Sequence, residues 1–357
     1  MVYGMKVWLD ALTGKQILLA KCIADELERR GAKTIITTRK FKGTLEMAEY
    51  VGLKNPIVIG DYGRTLQEKL RKSLERSLKL IDVISDFDPD LCISHFSPDA
   101  GRVTIGLGVK HICTHDTPQV HYIIRMSGMI VEKIMIPKIM TSKSYFPVSY
   151  KVVKLRGPFS AIWMKKFKPS RKELEEKGLD LDKPIVTIRT HEVYASYSTH
   201  RSFDSDFMIP LVKKLIKRFP EYQFVILPRY SGQERIYEKV SNKLIVVKDF
   251  IYAPNLLSFS KLLICGGGSM IEEAAFLGVP SISVYPGKYE ITEFLVRKKA
   301  AFKASSVEEA YKLSCEILSK PENMKDEWGA HVREMLWRIF DDPLPQIADE
   351  AFKTIES

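Results

Sequence analysis

The sequence predicts an α/β chain of two doubly wound domains, each built on a parallel sheet. Three observations carry this. Short apolar runs alternate with segments whose apolar residues recur every three or four positions, the pattern of strand, loop and helix. The alternation occurs twice, and a polar, basic stretch after Gly157-Pro158 separates the two series. The length of 357 residues, with 45% hydrophobic and 28% charged side chains, suffices for two full cores and excludes disordered, collagen-like and disulfide-dense chains.

In the first series MKVWL reads as a strand ended by Asp10. Lys15 to Arg30 follows as a helix, with Ile17, Leu18, Cys22, Ile23 and Leu27 at helical spacing before Gly31 stops it. KTIITT and IVIG are the next strands. A long helix then sets Leu66, Leu70, Leu74, Leu78 and Ile81 on one stripe, and LCIS, HICT and KIMTS complete the strands. The connection KKFKPSRKELEEKGLDLDKP holds one short helix. From Pro184 the order is PIVTIR, a helix over Pro210 to Phe219, QFVILPR, LIVVKDF, LLICGGG, a helix over Ser269 to Leu277, and SISVY. The tail from Glu322 to Ile355 is helical. These elements place the first domain at 1–157 and the second at 158–339, with a helix over 340–357 rejoining the first. Ligands of open α/β sheets sit at the carboxyl ends of the strands, so the cleft between two such domains is the expected binding site.

The net charge of +11 is uneven: residues 101–160 carry nine basic side chains and two acidic ones, which suits an anionic partner. No zinc finger, helix-turn-helix or RNP-type strand accompanies it, so no nucleic-acid partner is expected. Cys22, Cys92, Cys113, Cys265 and Cys315 lie far apart with no CxxC, and neither a signal peptide nor a membrane span is read, so a cytoplasmic protein is expected. Val120 to Met140 (VHYIIRMSGMIVEKIMIPKIM) mixes Ile, Met and Val with Arg125, Lys133 and Lys138. It reads either as a buried helix and strand or as a segment lying peripherally on the inner face of the membrane.

The most informative segment is the strand Leu262 to Cys265, the run Gly266-Gly267-Gly268, and the helix from Ser269 with Glu272 and Glu273 in its first turns. Three glycines let a backbone approach a ligand, and the N–H groups of a helix start attract phosphate. Glu273 could accept from the hydroxyls of a sugar. A tight turn with two glutamates favoured by the helix dipole is the alternative. It is neither a Walker loop nor a GxGxxG fingerprint, and Thr13-Gly14-Lys15 is only a fragment of the former.

CGGGSMIEEAAFLGVPSISVYPGK resembles the nucleotide-binding segment of GT-B fold proteins. It is similar to UDP-N-acetylglucosamine epimerases and to the lipid-linked N-acetylglucosaminyltransferase of peptidoglycan synthesis. Together with MKVWLDALTGKQILLAKCIADELERRGAKTIITTR, FDPDLCISHFSPDAGRVTIGLG and KDFIYAPNLLSFSKLLICGGG, it looks like an uncharacterised prokaryotic glycosyltransferase-like family spanning almost the whole chain. The resemblance implies a GT-B architecture and a nucleotide-sugar donor, a UDP-sugar above all, with no other cofactor. It assigns donor binding to Gly266, Gly267, Gly268, Ser269, Met270 and Glu273, stacking on the base to Phe250 and Ile251 with Tyr252, and diphosphate contacts to Arg189, His191 and Arg229. The implied acceptor is a surface glycan or a lipid phosphate.

Transfer with inversion needs one base for the acceptor proton and donors for the departing diphosphate. Strand-end candidates in the first domain are Asp10, His95, Asp99, His115 and Asp116, of which Asp10, Asp116 and His95 are the expected catalytic residues. Helix capping or loop hydrogen bonding is the structural alternative for each. Asp86, Asp88 and Asp90 look like a DxD metal motif but precede their strand, and His111 and His115 have no carboxylate partner at ligand spacing, so no metal is expected. Sugar epimerisation is the competing reaction. Where the epimerases carry His-Gly-Asp-Thr this chain has His95-Phe96-Ser97-Pro98, and their His-Arg-Arg-Glu loop is replaced by Arg189-Thr190-His191-Glu192-Val193. A non-catalytic nucleotide-sugar-binding protein is the third reading.

Overall fold

The computed structural model describes residues 4–191, 204–230 and 232–356. The chain divides into two compact units, Met1–Ile162 with Asp342–Ser357, and Trp163–Asp341. The sequence places the break at 157 and the return at 340.

The first unit runs β1 (Lys6–Ala11), α1 (Gly14–Arg29), β2 (Lys33–Lys40), α2 (Thr44–Tyr50), β3 (Ile57–Asp61), α3 (Leu66–Phe87), β4 (Leu91–Ser94), α4 (Pro98–Leu107), β5 (Lys110–Thr114), α5 (His121–Ser127), β6 (Lys133–Pro137) and β7 (Val152–Leu155). Its strands form one parallel sheet in the order β3-β2-β1-β4-β5-β6-β7. The strand order turns back between β1 and β4, the crevice where such sheets bind ligands. The central strands are buried on both faces: Trp8, Leu91, Cys92, Ile112 and Cys113 are inaccessible to solvent.

Helix α6 (Ser160–Met164) leads into the second unit, which runs α7 (Arg171–Glu175), β8 (Ile185–Arg189), α8 (Ile209–Arg218), β9 (Gln223–Leu227), α9 (Gln233–Glu238), β10 (Leu244–Val246), α10 (Ala253–Ser258), β11 (Ser260–Cys265), α11 (Ser269–Leu277), β12 (Ser281–Ser283), α12 (Glu290–Arg297), β13 (Phe302–Lys303), α13 (Val307–Leu318) and α14 (Glu322–Ile339). Its parallel sheet has the order β10-β9-β8-β11-β12-β13, with the switch between β8 and β11. Helix α15 (Leu344–Glu356) belongs to the first unit. There Arg30 pairs with Asp349 at 2.6 Å and Lys133 with Glu350 at 2.8 Å.

One expectation is corrected, and two segments are resolved. KIMTS is not a strand: the sixth strand is Lys133–Pro137, and the seventh, Val152–Leu155, is absent from the sequence-based series. Val120 to Met140 takes the first of its two readings, a seven-residue helix, a turn and a fully paired strand. The leucine stripe of α3 does not face the core: the side turned inward carries Arg76, Ser77, Leu80 and Ile84. Among the described residues no helix is long and apolar enough to cross a membrane.

Candidate functional site

In the second unit the glycine loop lies at the switch point. Cys265, the last residue of β11, is in register with Arg189, the last of β8. The loop geometry requires glycine at each position for a different reason. A Cβ on Gly266 would stand 2.5 Å from Nδ1 of His191. Gly267 has φ +91°, and a Cβ there would meet the Tyr289 ring at 3.0 Å. Gly268, with φ 87° and ψ −161°, occupies a region closed to other residues, and its missing Cβ leaves open space. Gly268 also provides no side chain to cap α11, so Ser269 and Met270 start a helix whose N–H groups suit a phosphate. Gly278 ends the helix with φ 72° against the backbone of Gly329 in α14.

Glu273 is buried in the first turns of α11, and its Oε1 accepts from Nε1–H of Trp163 at 3.0 Å. Arg189 Nη1 donates to the carbonyls of Leu227 and Pro228, each at 3.2 Å, which ties it to the end of β9. The neighbouring loop is organised by the buried amide of Gln233. Its Oε1 accepts from the backbone N–H of Arg229 at 2.8 Å, that of Tyr230 at 3.0 Å and the Thr190 hydroxyl at 3.1 Å. Arg189 and Arg229 both lie close enough to the Cys265 thiol to act on its ionisation, although burial dominates and pushes it up to about 12. Beside the loop, His191 packs on Tyr285 (centroids 5.6 Å apart) and Tyr285 stacks on Tyr289 at 4.3 Å. Phe250 and Ile251 are half-buried after β10, with Ile251 against the apolar cluster of Leu174, Val225 and Leu256. Glu192 and Val193 lie outside the described residues.

In the first unit the structure brings His95 and Asp116 together and sets Asp10 apart from them. His95 follows β4 and Asp116 follows β5, at the carboxyl ends of adjacent strands. The imidazole Nε2 is 3.3 Å from Asp116 Oδ1 and Nδ1 is 3.0 Å from the Thr114 hydroxyl. Asp116 also accepts from Thr117 Oγ1 at 3.0 Å and pairs with Lys15, which α1 presents from its first turn after β1. Burial raises the Asp116 pKa, but Lys15 and His95 outweigh it and hold the carboxyl well below the usual range. Beside this group, His115 Nδ1 is 3.0 Å from the Tyr145 hydroxyl, and burial first and His95 second push its pKa down to about 3, leaving it neutral.

Asp10 is not placed to act as a catalytic base. Its carboxylate is fully enclosed, paired to Arg76 at 2.5 and 3.1 Å, and accepts from Thr37 Oγ1 at 2.6 Å, itself held by Trp8 Nε1–H at 2.7 Å. Despite burial, Arg76 draws its pKa below the ordinary value, so it stays charged and has no access to an acceptor. Asp99 shares Nη1 of the same guanidinium with Asp10, accepting from it at 3.0 Å, and also accepts from Ser73, so it too is structural. Asp90 accepts from the backbone N–H of Lys6, at the amino edge of the sheet. Among the described residues no three His, Cys, Asp or Glu side chains gather as a metal site. Sequence reasoning misses Trp163 and Gln233, which carry no motif, and sets Lys15 aside as part of a broken phosphate loop.

Two Rossmann-like parallel-sheet domains of this order define the GT-B fold. The structure superposes on UDP-N-acetylglucosamine 2-epimerase from Neisseria meningitidis, solved bound to UDP-N-acetylglucosamine. The TM-score is 0.74 at 16% identity, covering 99% of this chain and 100% of that one. It also superposes on the spinosyn forosaminyltransferase SpnP, with a TM-score of 0.63 at 14% identity, covering 99% and 100%. Residues 5–342 match the family described as protein of unknown function (DUF354), and the chain belongs to that family. A relative in Methanocaldococcus jannaschii, the uncharacterized protein MJ0665, is 25% identical over 316 residues, 86% of this chain and 89% of that protein.

Proposed function

We propose that the protein is a glycosyltransferase that draws on a nucleotide-activated sugar, a UDP-sugar, and transfers it to a surface-glycan or lipid-linked acceptor. The observation that carries this reading is the glycine loop at the β8/β11 switch point, followed one turn later by a buried glutamate that an indole holds in place. In this reading Glu273 receives the ribose hydroxyls. Phe250 and Ile251 flank the base. The start of α11, with Ser269 and Met270, and the two arginines Arg189 and Arg229 meet the diphosphate.

The first unit supplies the base. Asp116 accepts from Nε2–H of His95, which leaves the lone pair on Nδ1, where the Thr114 hydroxyl lies. That hydroxyl has a second acceptor, the Ser94 carbonyl at 3.4 Å, and can turn to it. With that proton turned away, Nδ1 takes the proton of an acceptor hydroxyl that reaches the imidazole edge, as the acceptor oxygen bonds to the anomeric carbon. The bond from that carbon to the diphosphate oxygen breaks, and the nucleoside diphosphate leaves with the electron pair, its charge met by the helix start and the arginines. Asp116, kept ionised by Lys15, stabilises the imidazolium formed. Epimerisation needs a carboxylate where the resemblance puts Ser97, and the Ser97 side chain caps α4 by accepting from the backbone N–H of Ala100.

The test is product analysis of the full chain with UDP-sugars and lipid-phosphate or glycan acceptors. Release of UDP with formation of an inverted glycoside supports transfer. Conversion of the donor to its 2-epimer, or binding with no turnover on any acceptor, moves the assignment to the epimerase or to the binding protein.

A further inference from the structure

The long helix α3 buries Arg76, Ser77, Leu80 and Ile84 and turns Leu66, Leu70, Leu74, Leu78 and Ile81 outward, each between 40% and 72% exposed. Spaced by four and then three residues, these five form one line along the helix. The connections β3 to β4, β4 to β5 and β5 to β6 step in one direction across the sheet, opposite to β1-β2-β3. Right-handed crossovers therefore put α3, α4 and α5 on the same face. Helices α3 and α4 touch: Arg102 reaches Ser77 at 3.5 Å, and one turn further on α4 Ile105 is 62% exposed. Met126 of α5 adds to the same face.

We infer that this face is the docking surface for a second copy of the chain, in a two-fold pair through the first unit. Seven large apolar side chains of α3, α4 and α5, 40% to 72% exposed, share this face, a set of the size that a standard interface of ~800 Å² per partner covers and unlike the singly scattered exposures of an ordinary surface. The charges beside the stripe point to the same occupant. Apart from buried Arg76, α3 carries four acidic and four basic side chains, and Arg71, Glu75, Lys79 and Asp82 alternate in sign along it. An anionic lipid surface would select a basic flank. A neutral flank of alternating sign complements an antiparallel copy of itself, as a two-fold interface requires.

Sedimentation of the full chain at micromolar concentration tests this, compared with the triple variant Leu70→Glu, Leu74→Glu, Leu78→Glu, the single variant Leu66→Glu and the control Ile236→Glu in the second unit. The expected result is a species of twice the chain mass for the parent and the control. The triple variant should be a monomer with unchanged circular dichroism and melting temperature, its dissociation constant raised at least 100-fold, with Leu66→Glu in between. A monomeric parent overturns the inference, as does a dimer that the triple variant leaves intact. A monomer that floats with anionic phosphatidylglycerol vesicles, and no longer does so in the triple variant, assigns the face to a lipid surface instead. None of these readings depends on the proposed transfer reaction.

Discussion

The indole of Trp163 donates its N–H to Oε1 of Glu273 at 3.0 Å, joining the first residue of the second unit to the first turns of α11. A buried carboxylate fixed in this way is pre-oriented for vicinal hydroxyls. Replacing Trp163 with Phe keeps the ring and removes the donor. The expected outcome is a roughly tenfold weaker affinity for nucleotide sugars with little change in melting temperature, read by calorimetry, since one hydrogen bond to a charged group contributes about 1.5–3 kcal/mol. Unchanged affinity would remove Glu273 from the binding account.

Gly266→Ala places a methyl group 2.5 Å from His191 Nδ1, so the histidine or the loop must shift. A loss of about 1–3 kcal/mol in urea unfolding, together with loss of nucleotide binding, is expected. Gly31→Ala, at φ +93° but with open space around the new Cβ, serves as the comparison for backbone strain without a clash. Equal losses of binding in the two variants would mean that the close approach of Gly266 to His191 is immaterial.

Arg76 pairs with both Asp10 and Asp99 inside the first unit. Arg76→Met strands two buried carboxylates and should lower unfolding free energy by about 3–5 kcal/mol. Burial already raises the pKa of Asp99 despite Arg76, so part of the loss should be recovered at acidic pH as that carboxyl takes up a proton. A loss under about 1 kcal/mol at neutral pH would contradict the pairing.

Burial pushes His111 down to about 4 and His115 to about 3. Below pH 6.5 the unfolded chain binds two protons that the folded chain refuses, so stability falls as the pH drops from about 6.5 toward 4. The slope is roughly 1.4 kcal/mol per pH unit for each histidine. Asp10 and Asp116, both held low in the folded state, extend the loss below about pH 4, because their contribution vanishes as they protonate. Urea midpoints measured from pH 7 to 4 should show this slope, reduced by about half in His111→Gln. A flat profile would mean that these imidazoles are not buried as neutral groups.

His95→Ala should cut turnover by roughly 10²–10⁴ while leaving donor affinity unchanged, and Asp116→Asn should fall between the two. A loss of affinity equal to the loss of turnover would instead make the pair part of the binding surface.

Much of the fold is legible in the sequence because strand and helix periods differ so clearly: α11 reads at its observed bounds, Ser269 to Leu277. The misreadings share a cause in uniform apolar runs. KIMIPKIM offers no turn residue apart from Pro137 to fix where the strand ends, and VVKL is too short to show a period. The stripe of α3 is plain in the sequence, but which side is buried is set by an arginine whose two aspartate partners lie 66 and 23 residues away. That is a tertiary pairing no local pattern reveals. Position at a strand end brings Asp10, His95 and Asp116 forward equally. Only packing separates the enclosed Asp10 from the His95–Asp116 pair, and only it finds Lys15, Trp163 and Gln233 as the groups that hold the others.

The most direct measurement is calorimetric titration of the full chain with UDP, GDP, dTDP and CMP and their sugar conjugates, repeated with Glu273→Ala. The account predicts binding of UDP and a UDP-sugar that the variant weakens at least tenfold while keeping the parent's melting temperature without ligand. Binding of no nucleotide, or binding that Glu273→Ala leaves intact, would contradict it.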